Sequence, residues 1–226
     1  MFGRIAGRYD MGNKVLSLGR DQAWRRRAVR LLNPLPNDVI LDIGAGTADL
    51  SLQLAKKATT VVAGDFSLPM LEAGRHKVVG ASLAQRIALV AADAMRLPFA
   101  DNSFDGATAA FTMRNLADMD DGFAEILRVL KPGGRFVCLE FMKPRSGLVN
   151  FFYRPYLNHI LPFLGSRVTG DRAAYAYLAA SINAFSTPEE LTHTMEAAGF
   201  RSVECHLINL ATVAAHVGTK QPSELE

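Results

Sequence analysis

The chain has 226 residues, of which 49% are hydrophobic and 21% are charged, and its formal net charge is +3. This length fits one α/β domain with a sizeable core, and the composition is that of an ordinary globular protein. So slight a charge does not call for a nucleic-acid partner, and the lack of any run of about 18 apolar residues excludes a membrane-spanning helix.

Histidine and cysteine usage gives no sign of a metal site. The five histidines are scattered without metal-ligand spacing, and we expect no bound metal. Cys138 and Cys205 both fall in strand-like apolar runs, so we expect two buried thiols. Unpaired cysteines fit a reducing compartment, and we expect a cytoplasmic protein.

Residues 1–38 precede the first predicted strand. Around Trp24 and the cluster Arg25-Arg26-Arg27, apolar and basic residues interleave at helical spacing, which predicts an amphipathic helix. Its arginine face is either solvated, as most charge runs are, or forms a basic lid over a ligand pocket or a surface that meets anionic lipid. The Pro34–Asp38 turn ends this helix.

The next stretch predicts a strand, a tight turn and the start of a helix. Val39–Ile43 is a short apolar run typical of a buried parallel strand, and Gly44 and Gly46 follow it. Glycines in such a turn adopt positive φ and leave room for a ligand. The helix that begins near Thr47 offers N–H groups without an intrahelical partner.

Two acids near this turn indicate which ligand it binds. A dinucleotide site reads G-x-G-x-x-G, whereas Asp49 takes the third position here, which disfavours a nicotinamide dehydrogenase. Asp42 closely precedes the first glycine, where a carboxylate would repel a pyrophosphate. A carboxylate suits a ligand with a cationic end, such as the amino group and sulfonium of S-adenosylmethionine.

Two further predicted strands are each followed by an acid. Val61–Asp65 ends in Asp65, about 20 residues past the turn, where an acid that binds a ribose belongs. Ile87–Ala91 is followed by Asp93, which can accept from an adenine amino group, and by Ala94, which leaves room for the ring. Together with the acid of the first strand, these are expected to lie in register at the carboxyl edge of the sheet, where ligands of open α/β sheets bind.

The rest of the chain continues the alternation of strands and helices, which gives parallel strands with right-handed crossovers. The remaining predicted strands are Phe104–Phe111, Arg135–Glu140, Ser202–Leu207 and Ala211–Val217. The predicted helices of this α/β region are Leu50–Lys57, Pro69–Val78, Met119–Leu130 and Pro188–Ala198.

Residues 141–187 break this alternation, and their aromatic residues are interspersed with arginines. Aromatic and basic residues together suit a segment that lies on a bilayer without spanning it, so we expect an insertion that faces substrate and membrane. The alternative is a lid packed on the sheet or a subunit interface, as in a homodimer.

Several motifs from Phe2 to about Lys220 form one constellation. They are Tyr9-Asp10, Phe111-Thr112-Met113-Arg114-Asn115, Arg128-Val129-Leu130-Lys131-Pro132-Gly133-Gly134 and Tyr175-x-Tyr177-Leu178. With them the chain resembles Rossmann-like S-adenosylmethionine-dependent methyltransferases and, more narrowly, the ubiquinone/menaquinone biosynthesis C-methyltransferase family. It departs from that family at Gly12, Asp21, Met142 and Ser186, away from the predicted cofactor acids.

The resemblance implies a fold and an activity. The fold would be a three-layer αβα sandwich with a mostly parallel seven-stranded sheet and an antiparallel last strand, in one domain over residues 1–226. Residues 1–38 would form a helical lid and residues 141–187 the inserted segment. The expected reaction is C-methylation of a prenylated quinol by S-adenosylmethionine in menaquinone or ubiquinone biosynthesis, with demethylmenaquinol to menaquinol preferred. Peripheral contact at the inner face of the membrane is expected as well.

By resemblance, Thr47, Asp65, Asp93 and Ala94 would contact the cofactor. Phe66, next to the ribose acid, is assigned to the same site. Where some members use a serine before the Phe-x-x-Arg-Asn motif, this chain has Ala110.

The acceptor side is assigned to three residues. A ring hydroxyl must lose its proton before the ring attacks, and a nearby cation lowers such a pKa by roughly 1–3 units. Arg114 is the candidate cation, Tyr9 would hydrogen-bond the second ring oxygen, and Asn115 would orient Arg114 or the quinol.

Two other functions compete with this interpretation. A methyltransferase for another small hydrophobic acceptor, such as a sterol or a polyketide, is disfavoured by Tyr9, Arg114 and Asn115. A binding module that keeps the fold without chemistry is disfavoured by the three strand-end acids.

Overall fold

The computed structural model describes residues 17, 19–58, 60–143, 151, 155–156, 172–209 and 211–222. Tyr9 and most of residues 141–187, called the aromatic segment below, therefore lie outside the described residues, and their predicted roles stay predictions.

Within these residues, seven strands form one sheet. They are β1 (Val39–Ile43), β2 (Thr60–Asp65), β3 (Ile87–Ala91), β4 (Phe104–Ala110), β5 (Leu130–Phe141), β6 (Arg201–Ile208) and β7 (Val213–Thr219). Their order across the sheet is β3-β2-β1-β4-β5-β7-β6. Neighbours from β3 to β5 run parallel, while β7 is antiparallel to β5 and to β6. The predicted mostly parallel sheet with an antiparallel last strand is confirmed.

Helices cover both faces of this sheet. They are α1 (Asp21–Leu32), α2 (Asp49–Leu54), α3 (Leu68–Gly80), α4 (Met119–Val129), α5 (Arg172–Ala184) and α6 (Pro188–Ala198). One buried apolar cluster joins α1 and α2 to the sheet through Trp24, Leu50 and Leu54. A second joins α4 and α6 to it through Phe123 and Leu191. These two layers around the sheet confirm the αβα architecture.

The ends of two helices carry the capping residues that are typical of helix termini in sequences. Thr187 caps α6 and forms a reciprocal capping box with Glu190, while Gly199 ends the helix with φ +112°. Asp118 caps α4 by accepting from two backbone N–H groups of its first turn.

Three predictions need correction. β5 begins at Leu130 rather than at Arg135, because Leu130 pairs with Phe104 and the Pro-Gly-Gly residues then bulge out before pairing resumes. Helix α5 lies in the segment for which no helix was predicted. Cys138 is buried as expected, but Cys205 is exposed because it lies on β6 at the outer edge of the sheet.

No helix in the described part of the chain is long and apolar enough to cross a membrane.

Candidate active site

A cavity of about 880 Å³ opens at the carboxyl ends of β1 to β4. This volume is in the range of small-molecule sites. Its lining includes Gly44, Gly46, Asp65, Phe66, Asp93, Ala94, Ala110, Phe111, Thr112, Asn115 and Tyr177.

The glycine turn after β1 forms the floor of the cavity. Gly44 has φ +62°, and a Cβ there would lie 2.3 Å from the Thr112 hydroxyl, so protein packing alone demands glycine. Gly46 has φ +57° and donates its N–H to Asp65 Oδ2 at 2.7 Å. The first two glycines of the predicted motif therefore hold this turn against β4 and β2.

Asp65 lies at the end of β2 and lines the cavity, as expected for a ribose-binding acid. Its second oxygen accepts from the Ser67 N–H at 2.8 Å. Burial raises the pKa of this carboxyl, and the two backbone N–H groups oppose that rise. Each oxygen keeps another lone pair for a ligand hydroxyl. Next to it, the Phe66 ring is 81% exposed at the cavity rim.

Asp93 and Ala94 also line the cavity. Asp93 Oδ1 accepts from the Met95 N–H at 2.9 Å, which fixes its carboxylate at the turn after β3. Ala94 is buried and small, and it leaves the space beside that carboxylate open. The β2 and β3 ends thus bring two acids and an aromatic ring to the same cavity.

Asp42 is placed differently from the prediction. It lies opposite Ala63, two residues before Asp65 on the paired strand, so the three acids are not in register. Asp42 is buried, and its oxygens accept from Ser51 Oγ at 2.6 Å and Thr108 Oγ1 at 2.8 Å. It is not part of the cavity lining.

The environment of Asp42 changes its acidity. Burial raises the pKa of this carboxyl from 3.8 to about 6, and the two hydroxyls and the positive charge of Arg25 oppose that rise. Asp42 lies on a buried strand beneath the glycine turn, and the sequence pattern does not show that its side chain is buried.

Thr47 also lies behind the cavity wall instead of lining it. It is buried and accepts from Lys77 Nζ at 2.9 Å. Lys77 also pairs with Asp49 at 2.6 Å. The acid at the third glycine position therefore ties the start of α2 to α3.

The β4 side of the cavity combines aromatic walls with polar groups. Asn115 Nδ2 donates to the Phe111 carbonyl at 3.0 Å, and the Tyr177 hydroxyl donates to Asn115 Oδ1 at 3.3 Å. Phe111 has φ +61°, an uncommon value for a bulky residue. Tyr177 comes from α5, and although its motif stood out in the sequence, no role was predicted for it.

Arg114 is placed away from the cavity lining, which differs from its predicted role as a cation facing the acceptor. Its Nη1 bonds Glu140 Oε2 at 2.7 Å, and both side chains are buried, with 4% and 0% exposed. Burial raises the pKa of Glu140, and the Arg114 charge opposes that rise. The two charges compensate one another, and the Arg114 backbone N–H also donates to Glu140 at 3.4 Å, so the pair ties the turn that carries Asn115 to β5.

Taken together, the glycine turn, the acids after β2 and β3 and the cavity at the strand ends define a nucleoside-binding α/β protein of the methyltransferase type. The Asp65 carboxylate, the exposed Phe66 ring and the open turn fit the adenosine part of S-adenosylmethionine.

Comparisons with known proteins agree with this class. The profile of the ubiE/COQ5 methyltransferase family matches residues 1–220. A demethylmenaquinone methyltransferase of Thermus thermophilus is 46% identical, over 97% of this chain and 100% of that protein. A ubiquinone/menaquinone biosynthesis C-methyltransferase of Geotalea daltonii is 40% identical, over 97% and 94% respectively.

The chain therefore belongs to the ubiE/COQ5 methyltransferase family and is an S-adenosylmethionine-dependent methyltransferase. Among solved structures, the [4+2]-cyclase SpnF superposes with a TM-score of 0.71 at 20% identity, over 89% of this chain and 82% of that one. At that identity the likeness shows the fold alone.

Proposed function

We propose that this methyltransferase acts on a ring carbon of a prenylated quinol, with demethylmenaquinol as its acceptor. Relatives at 40% to 46% identity over nearly the whole chain carry the names of enzymes of menaquinone and ubiquinone biosynthesis.

The observation that carries the proposal is the make-up of the β4 side of the cavity. A hydroxyl and an amide, from Tyr177 and Asn115, stand beside the apolar walls of Phe111 and Leu116. A flat ring with polar substituents needs such a combination, because its faces pack on apolar groups while its oxygens need hydrogen-bond partners.

The chain's part in the reaction is positioning. S-adenosylmethionine supplies an electrophilic methyl group on sulfur. Asn115 and Tyr177 would hold the acceptor ring by its oxygens, so that the reacting carbon stands about 3–3.5 Å from that methyl group. The apolar walls exclude water, which strengthens every polar contact inside.

The test is incubation of the purified chain with isotope-labelled S-adenosylmethionine and reduced demethylmenaquinone in lipid vesicles. We expect label in a product that has gained one methyl group on the ring, and none when the quinone is left oxidised. A parallel reaction with the benzoquinol counterpart measures whether the enzyme also methylates a benzoquinol ring. Transfer to a sterol or polyketide acceptor, with no transfer to either quinol, would contradict the proposal.

We further propose that the chain works in the cytoplasm, at the inner face of the membrane. A polyprenyl chain keeps its quinol in the bilayer, because each buried CH₂ is worth about 0.8 kcal/mol. In the aromatic segment, Phe151 is 71% exposed. We expect salt-sensitive flotation with anionic vesicles that falls when Phe151 and Phe152 are changed to serine; a folded double variant that floats like the wild type would contradict this role.

A further inference from the structure

Arg25 is a buried cation on α1 whose role the site described above leaves open. It is 6% exposed, and its guanidinium carbon lies 5.4 Å from the centre of the Phe111 ring. Among the described residues, its Nε and Nη1 atoms have no hydrogen-bond partner. Buried donors of this kind are costly and are normally paired, and a bound ligand can supply the partner that the described residues do not.

The position of Arg25 indicates which part of a ligand that partner is. Its charge acts on Asp42 in β1, and Phe111, on which it stacks, directly follows β4. The two acids that face a nucleoside lie instead after β2 and β3, on the other side of β1 in the strand order. A ligand with its nucleoside over β2 and β3 extends its other end toward β1 and β4.

In S-adenosylmethionine that other end is an amino acid, which carries one carboxylate. A guanidinium presents a planar fork of donors that matches a carboxylate in two parallel hydrogen bonds. Arg114 also has a buried Nε without a partner in the described part of the chain, but Glu140 already compensates the charge of its guanidinium. Arg25 instead has two buried donors, Nε and Nη1, without a partner among the described residues, and a carboxylate can accept from either.

Phe111 forms the layer between Arg25 and the cavity. Its ring stacks on the guanidinium and its residue lines the cavity, while its backbone holds the uncommon φ of +61°. Backbone strain of this kind is typical of functional positions. The ring also contacts Trp24, with a centroid distance of 6.2 Å, so the single tryptophan of the chain reports a shift of this ring.

We propose that Arg25 binds the carboxylate at the amino-acid end of S-adenosylmethionine, reached past the Phe111 ring. The inference rests on the methyl donor of the family and is independent of the acceptor proposed above.

The test compares two ligands that share the adenosine group. S-adenosylhomocysteine has the amino-acid end, and 5′-methylthioadenosine lacks it. By calorimetry, Arg25→Met should lower the affinity for S-adenosylhomocysteine roughly 10- to 100-fold, the range of a hydrogen bond to a charged group, and leave that for 5′-methylthioadenosine unchanged. The control is Arg26→Met, which removes the same charge from an exposed position of the same helix and should alter neither affinity.

An equal loss for both ligands, or no loss for either, would overturn the proposal and assign Arg25 to packing against Phe111. Unchanged affinities with a raised KM for the quinol would overturn it too, in favour of a contact with the acceptor. Arg25→Lys, which keeps the charge without the planar fork, should fall between wild type and Arg25→Met for S-adenosylhomocysteine.

A measurement on the wild-type chain tests the proposal even if the Arg25 variants do not fold. S-adenosylhomocysteine should change the fluorescence of Trp24, and 5′-methylthioadenosine at saturation should not. Equal changes with both ligands, or no change with either, would contradict movement at Phe111 in response to a carboxylate.

Discussion

The two halves of the cavity are built in different ways. On the β1–β3 side, an acid at a strand end holds a nearby turn through backbone N–H groups, as Asp65 does with Gly46 and Ser67. On the β4 side, the contacts join distant parts of the chain: Tyr177 and Asn115 are 62 residues apart. The β1–β3 half, to which we assign the nucleoside, is thus a local construction. The β4 half, which we propose binds the acceptor, depends on the packing of the whole domain. Four predictions test this difference.

The largest effect is expected on the β4 side, from the buried pair of Arg114 and Glu140. Glu140→Gln leaves the guanidinium buried without its carboxylate, and we expect a loss of about 3–5 kcal/mol in the free energy of unfolding, measured in urea. The double variant Arg114→Met with Glu140→Leu removes both charges and should recover most of that loss. Single variants as stable as the wild type would show that the pair is not needed to hold this half together.

Beneath the nucleoside half, Asp42 predicts a dependence of stability on pH. Its pKa of about 6 in the folded chain lies above the ordinary 3.8, so the unfolded chain releases this proton first as pH rises. Its contribution to stability is therefore full below about pH 4 and is lost as pH rises through 6.

At about 1.4 kcal/mol per pKa unit, the loss amounts to about 3 kcal/mol. Asp42→Asn cannot ionise, so its unfolding free energy relative to the wild type should rise by most of that amount between pH 4 and pH 7. Parallel pH profiles of the two proteins would refute a raised pKa at this position.

Asp65 tests the nucleoside half directly. Asp65→Ala removes the predicted ribose contact and the support of the Gly46 turn, and we expect the affinity for S-adenosylhomocysteine to fall by about 1.5–3 kcal/mol. Glu72→Gln, at an exposed site on α3, is the matched control. Calorimetry that gives the same affinity for both variants would remove Asp65 from the cofactor site.

The smallest effect is expected from Tyr177. Tyr177→Phe removes one neutral hydrogen bond, to Asn115, and we expect a loss of about 0.5–1.5 kcal/mol in kcat/KM for the quinol. Because the change lies in the acceptor half, the affinity for S-adenosylhomocysteine should not move. A fall in cofactor affinity with an unchanged KM for the quinol would place this hydroxyl in the other half.

The difference between local and long-range contacts also explains which features could be predicted from the sequence. The strands, the glycine turn and the acids Asp65 and Asp93 were predictable because their signals lie within a few residues of each other. The depth of Asp42 was missed, because register depends on how β1 pairs with β2. The pairing of Arg114 was missed as well, because Glu140 lies on β5, 26 residues along the chain.

The position of β7 has a consequence for how the chain is made. This strand is synthesised after β6, yet it lies between β5 and β6 in the sheet. Until the ribosome has released Val213–Thr219, β5 keeps an open edge and β6 has no neighbour to pair with. An open apolar edge is a template for aggregation, so a chain halted after β6 would need a chaperone more than the finished enzyme does.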